Sequence, residues 1–185
     1  RSGKYFNVLC PKPGDILMED VAHHLSLECR WAGACLRHYS VAEHCIWVYQ
    51  FVSQLVPNGK RAEARVHALL HDAHEYVLKD IPTPIKMLFP EYSELCHSLD
   101  DVIYESVNVN LPSDEMAAVI KLADSYSAWV ESVELTTGPQ VGIRPPNGIL
   151  AEVGMQECIR TALARPASTW LSLLNAALED YRCTA

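Results

Sequence analysis

The stretch His71-Asp72-Ala73-His74-Glu75 concentrates four ionisable side chains at the end of the apolar run Val66-His67-Ala68-Leu69-Leu70. A histidine beside an aspartate offers an imidazole nitrogen and a carboxylate oxygen, and the two can coordinate one divalent cation. Amphipathic packing alternates faces by turns, so two consecutive polar positions call for another explanation than folding. On a helix, Glu75 shares a face with His71, four residues earlier, and neighbours Asp72, three earlier. A cation held by His71 and Asp72 would then have Glu75 within one water of it, the placement of a general acid or base. Two more ligands are wanted from crossing helices, and His44 and Asp124, each beside an apolar stripe, are the best candidates. The plainer reading of these four is a buried hydrogen-bonded cluster, which is costly on three helices unless something binds it. His67 and His71 also stand four apart, but the H-E-x-x-H of a zincin is absent, which argues against a metalloprotease. His67 and His74 read as supporting or surface histidines, and His23, His24 and His97 as structural. His38 is either a loop residue or one that approaches a substrate.

The elements that position these groups read as helices. Residues 1–18, with Pro11, Pro13 and Gly14, form an irregular lead-in with a short extended piece near Tyr5 to Leu9. A helix runs from Glu19-Asp20 to about Cys29, its acidic residues suited to the N-terminus. A second follows Ser40 as N-cap, with Val41, Cys45, Val48, Val52 and Leu55 on its buried face. The third, about Arg61 to Leu78, carries the ionisable cluster. Ile81-Pro82-Thr83-Pro84 then breaks any helix. Further helices are expected from Pro90 through Ser106 and from Ser113, again a cap, to about Leu135. Residues 136–154 read as a loop, followed by helices over Met155–Ala164 and Thr169–Tyr181. With hardly any alternating β pattern, no repeat and no second domain, the expectation over 1–185 is one compact all-α bundle.

Size and composition are compatible with this. The 185 residues suffice for one buried core, and 49% apolar with 21% charged residues is ordinary for a soluble globular chain. No apolar run matches a membrane span and no signal peptide opens the sequence, so a cytoplasmic protein with no membrane partner is expected. The seven cysteines include no C-x-x-C pair and sit mostly in apolar helical stretches, which points to buried thiols. A net charge of −8 argues against binding a nucleic-acid polymer. A small phosphorylated ligand needs only a few local cations and a metal.

The ordered set His44, His71-Asp72, Asp124 resembles the H…HD…D signature of the HD-domain metal-dependent phosphohydrolases, which are all-helical. Arg30-Trp31, Tyr39 to His44, His71 to Glu75, Asp80 to Lys86 and Lys121 to Asp124 resemble the YfbR-type 5′-deoxynucleotidases and, at least as much, the bacteriophage DatZ-type dATP triphosphohydrolases. The resemblance spans residues 20 to 130. It implies an HD-type bundle in which His44, His71, Asp72 and Asp124 bind the metal and Glu75 handles the proton of the attacking water, with Asp80 assisting. Arg30, Lys86 and Lys121 would meet phosphate oxygens, with His38 near the substrate. Trp31 would pack against the sugar and leave little room for a 2′-hydroxyl, although Trp31-Ala32-Gly33 departs from the phage pattern of Phe followed by Gly or Asn. Imidazole and carboxylate ligands suit Mn²⁺, Co²⁺, Fe²⁺ or Zn²⁺, with Mg²⁺ at a second, substrate-bound position. The implied activity is a dNTP triphosphohydrolase preferring dATP, with a 5′-deoxynucleotidase acting on dNMPs as the alternative. A catalytically silent nucleotide sensor is the reading from a different class. A homo-oligomer, dimer or hexamer, is implied, and host cytoplasm if the chain is phage-encoded.

Overall fold

The computed structural model describes residues 2–137, 159 and 161–184. Every regular element among them is helical. The one β feature is an isolated antiparallel bridge between Cys29 and Ser40. In chain order the helices are α1 (Met18–Leu27), α2 (Val41–Leu55), α3 (Arg61–Leu70), α4 (Glu75–Leu78), α5 (Thr83–Lys86), α6 (Pro90–Ser106), α7 (Asp114–Leu135) and α8 (Pro166–Thr184). The expected all-α class is observed, and no helix among the described residues is long and apolar enough to cross a membrane.

Helix α2 is the centre of the bundle, packed against α1, α3, α7 and α8. Its start is fixed by a capping box in which the Ser40 side chain accepts from the Glu43 N–H and the Glu43 carboxylate accepts from the Ser40 N–H. From Val41 to Val48 every residue is buried, so even the polar Glu43 and His44 lie inside. A second cap, Ser113 accepting from the Met116 N–H, starts α7. Both caps agree with the sequence reading.

Two apolar clusters flank α2. One joins α1, α2, α3, α6 and α8 through Leu25, Leu69, Leu70, Ile103 and Trp170. The other joins α2, α3 and α7 through Val52, Ala68, Ile120 and Val130, with the Phe51 and Tyr126 rings stacked at 4.5 Å. Trp170 is fully buried and donates its indole N–H to the Leu69 carbonyl at 3.2 Å. The C-terminal helix thereby braces the end of α3, just before His71.

Several expectations are corrected. The first helix stops at Leu27 rather than Cys29, because the chain turns extended to pair with residues 39–41: Arg30 donates to the Tyr39 carbonyl at 2.9 Å and Val41 to that of Glu28 at 3.0 Å. The expected helix Arg61–Leu78 is two helices joined by the turn His71 to His74. There His71 Nδ1 takes the Ala68 carbonyl at 2.8 Å, the backbone acceptor a continuing helix would use, and Ala73 bonds back to Leu70 instead. Thr83-Pro84 does not exclude helix but begins the short α5, where proline is tolerated in the first turn. The last helix begins earlier, at Pro166, and reaches Thr184. Thr161 to Ala164, expected to be helical, are irregular. Of the loop 136–154 and the helix from Met155, residues 138–158 lie outside the described residues, and so does Cys158. Ile159 is helical and buried. Among the described cysteines only Cys45 and Cys96 are buried, while Cys10 and Cys183 are exposed, since those two fall in the lead-in and the last turn.

Trp170→Ala removes a large buried ring and leaves the Leu69 carbonyl without its donor. It is expected to cost about 3–5 kcal/mol of stability, measured by urea denaturation of the purified protein.

Candidate metal centre

Three helices meet where the ligand candidates converge: His44 on α2, His71 and Asp72 directly after α3, and Asp124 on α7. His44 Nε2 lies 3.2 Å from His71 Nε2, 3.6 Å from Asp72 Oδ2 and 3.2 Å from Asp124 Oδ1. His71 Nε2 is 3.2 Å from Asp72 Oδ2. His44, His71 and Asp72 form a compact group whose ligand atoms all lie within 4.8 Å of one another, and this group could hold a metal ion. Asp124, the fourth expected ligand, stands at the rim of that group, its Oδ2 held by Lys121 Nζ at 2.7 Å.

The hydrogen-bond chemistry decides what the centre lacks. His71 Nδ1 faces the Ala68 carbonyl, which only accepts, so Nδ1 carries the proton. His44 Nδ1 faces the Glu131 carboxylate at 2.6 Å and likewise donates. In the neutral rings both Nε2 atoms are therefore bare lone pairs, directed at each other and at two carboxylate oxygens. Such a set repels itself until a proton or a cation sits among its members. The charge states follow. Burial opposes charge on both imidazoles, yet His71 is held well above the ordinary histidine value by Asp72, and His44 is raised by Glu131 and Asp124. Asp72 is drawn well below the carboxylate range, despite burial, by His71, His44 and Arg30. Asp124 is lowered in the same way by His44 and His71.

Glu131 was not foreseen from the sequence. Its fully buried carboxylate accepts from Arg30 Nε at 3.0 Å, Trp31 Nε1 at 3.2 Å, the Tyr39 hydroxyl at 3.1 Å and His44 Nδ1. The signal available was its position two turns after Asp124 on α7, on the same face.

On the other side of Asp72 the remaining candidates gather. Arg30 Nη1 is 3.4 Å from Asp72 Oδ2, and Lys86 Nζ is 3.1 Å from Glu75 Oε1. Asp80 accepts from the Trp31 backbone N–H at 3.2 Å. That bond, with the indole held by Glu131, secures a turn in which Trp31, Ala32 and Gly33 all have left-handed φ (61°, 50° and 82°). Glu75 is buried, and its Oε2 has no hydrogen-bond partner among the described residues. Burial first, then Asp72 and Asp80, push its carboxyl up to about 8, which Arg30 and Lys86 only partly offset. His38, by contrast, is exposed and turned to the Leu27 carbonyl at 3.4 Å. His74 is tied to Asp100 at 2.9 Å, and buried His67 stacks on Tyr104.

His71, Asp72 and Asp124 open onto a cavity of about 570 Å³ between α6, α7 and the segment before α7. This is within the usual size of a small-molecule site.

The chain is 38% identical over 140 residues to the uncharacterized protein RCAP_rcc00048 of Rhodobacter capsulatus, covering 72% of this chain and 70% of that protein. It is 40% identical over 134 residues to the uncharacterized protein YfdR of Escherichia coli K12, covering 72% of this chain and 69% of YfdR. The chain belongs to the YfdR family. No protein-family model matches it.

Two outcomes follow for this YfdR-family centre. Glu131→Gln replaces an acceptor-only group by one whose amide can donate to His44 Nδ1, which moves the His44 proton to Nε2. Affinity for Co²⁺, followed by its visible absorption, is expected to fall about 10–100-fold. For Glu75 the folded value lies above the ordinary 4.5. Between about pH 4.5 and about 8 the unfolded chain releases a proton that the folded protein keeps, so this contribution to stability declines as pH rises. In metal-free protein Glu75→Gln is expected to raise the melting temperature relative to wild type more at about pH 8 than at about pH 5. A difference independent of pH would refute the assignment.

Proposed function

We propose that the chain is a divalent-metal-dependent phosphohydrolase of 2′-deoxynucleotides, of the HD-domain type its motifs resemble. The observation that carries this reading is the convergence of two bare Nε2 atoms and carboxylate oxygens at one point, with a buried carboxyl, Glu75, three residues beyond. His44, His71 and Asp72, with Asp124 at the rim, would hold Mn²⁺, Co²⁺, Fe²⁺ or Zn²⁺. When bound, such an ion supplies charge to polarise the phosphoryl group and to acidify water.

The chain's own residues supply the remainder. Arg30, Lys86 and Lys121 stand around the centre and neutralise the phosphate oxygens as charge develops. Glu75 in its ionised form takes a proton from the water that attacks the α-phosphorus. The bond from phosphorus to the 5′ oxygen breaks, that oxygen takes a proton from solvent water as it leaves with the deoxynucleoside, and Glu75 returns its proton to solvent. From a triphosphate the other product is tripolyphosphate, and from a monophosphate it is orthophosphate. Asp80, bonded to the Trp31 backbone, holds the Arg30-Trp31 turn against the site.

Three cations at one centre favour a triphosphate substrate. The monophosphate reading has its own support, because each of the three already has an acidic partner: Glu131 and Asp72 for Arg30, Glu75 for Lys86 and Asp124 for Lys121.

Purified protein with Mn²⁺ or Co²⁺ is expected to release tripolyphosphate from dNTPs, assayed beside dNMPs. Asp72→Ala is expected to lose metal and turnover together, whereas Glu75→Gln keeps metal and loses at least about 100-fold in kcat. Near-normal kcat in Glu75→Gln would reject the proton-handling role, and release of phosphate from monophosphates alone would move the assignment to a 5′-deoxynucleotidase.

A further inference from the structure

The cavity beside the metal ligands has two chemically different walls. One is apolar, built from Leu111 and Pro112 before α7 and Ala117 and Ile120 on it. The other is one face of α6: His97, Asp100, Asp101 and Tyr104 fall at i, i+3, i+4 and i+7, and all four line the cavity. Asp100 Oδ1 is engaged by His74 Nδ1 at 2.9 Å. Asp101 is exposed, and no hydrogen bond or ion pair among the described residues occupies it.

The charge inventory restricts what enters. The lining holds four carboxylates, Asp72, Asp100, Asp101 and Asp124, against one lysine, Lys121, itself bonded to Asp124. A phosphate chain on the α6 side would meet the carboxylates of Asp100 and Asp101, with only His97 and the Tyr104 hydroxyl able to donate to it. A flat neutral ring with N–H groups on its edge meets complementary chemistry on both sides: an apolar wall for its face and carboxylate oxygens for its donors.

We infer that the α6 face is the base-reading wall of the nucleotide site, with Asp101 its principal acceptor, and that it selects a base edge with two adjacent N–H donors. The inference rests on the nucleotide reading above. Among deoxynucleotides the matching edge is that of guanine, whose N1–H and 2-amino group meet the two oxygens of one carboxylate. Adenine and cytosine set a single amino group beside a ring nitrogen that accepts. Thymine flanks its one N–H with two carbonyls, which a carboxylate repels. The expected order is therefore guanine first and thymine last, in place of the adenine preference implied by the phage resemblance.

The test compares kcat/KM for dGTP, dATP, dCTP and dTTP in the Mn²⁺-loaded protein, in wild type and in Asp101→Asn and Asp101→Leu. Calorimetric binding of deoxyguanosine and thymidine to the same proteins runs in parallel. Asp101 is exposed, so both substitutions leave the core untouched. Wild type is expected to favour dGTP over dTTP by about tenfold or more, and Asp101→Leu to bring the ratio to within about threefold. A wild type without base preference, or a ratio unchanged in both variants, overturns the inference. Absence of turnover on every nucleotide would reject the hydrolase reading alone, provided deoxyguanosine still binds better than thymidine and Asp101→Leu abolishes the difference. Equal or absent nucleoside binding together with absent turnover overturns both.

Discussion

A full carboxylate inside a helical bundle is tolerated only if it is saturated with donors, and Glu131 is the group on which this structure turns. Its two oxygens take four donors from three different parts of the chain: Arg30 and Trp31 after α1, Tyr39 before α2, and His44 within α2. Burial opposes its charge, yet Arg30 and His44 hold it below the ordinary glutamate value. One side chain thereby sets the tautomer of a candidate metal ligand, anchors the arginine that reaches Asp72 and pins the indole beside it. The candidate metal centre and Arg30 are parts of one network, and a change at either is felt at the other.

The same network explains a backbone that local preference would not choose. Non-glycine residues rarely occupy the left-handed region, and Trp31 and Ala32 do so in succession. The Trp31 amide is fixed by Asp80 and its indole by Glu131, from opposite sides of the site. Gly33 is the third residue of this turn, at φ 82°. Helix α1 had already ended, because residues 28–30 are drawn into pairing with 39–41.

What the sequence made legible follows from which forces are local. The all-α class, the caps at Ser40 and Ser113 and the apolar stripe of α2 depend on neighbours three and four residues apart, and they are found as read. The cluster His44, His71 and Asp72 was legible because an adjacent His and Asp at the end of an apolar helical run have no packing rationale. The break after Leu70 was not, since it arises from one side chain, His71, competing for the Ala68 carbonyl. Glu131 was illegible for a deeper reason. A lone glutamate in a helix of mixed polarity has no local mark of burial, and its partners lie 87 to 101 residues away in sequence.

The pairing of cations with acids bears on how a charged ligand would be received. Arg30, Lys86 and Lys121 are held in place by carboxylates, so an arriving phosphate exchanges partners instead of ordering free side chains, and loses less conformational entropy in doing so. In the proposed reaction this exchange has a chemical consequence at Lys86. A phosphate oxygen that takes the lysine leaves Glu75 without the ammonium 3.1 Å from its Oε1. Loss of that cation raises the proton affinity of a carboxylate already lifted by burial, Asp72 and Asp80. Glu75 thus becomes a stronger base when phosphate is in place, provided a cation held by His44, His71 and Asp72 keeps it ionised. The balance depends on the two carboxylates nearest it, which makes Asp72 a determinant of basicity as well as a candidate ligand.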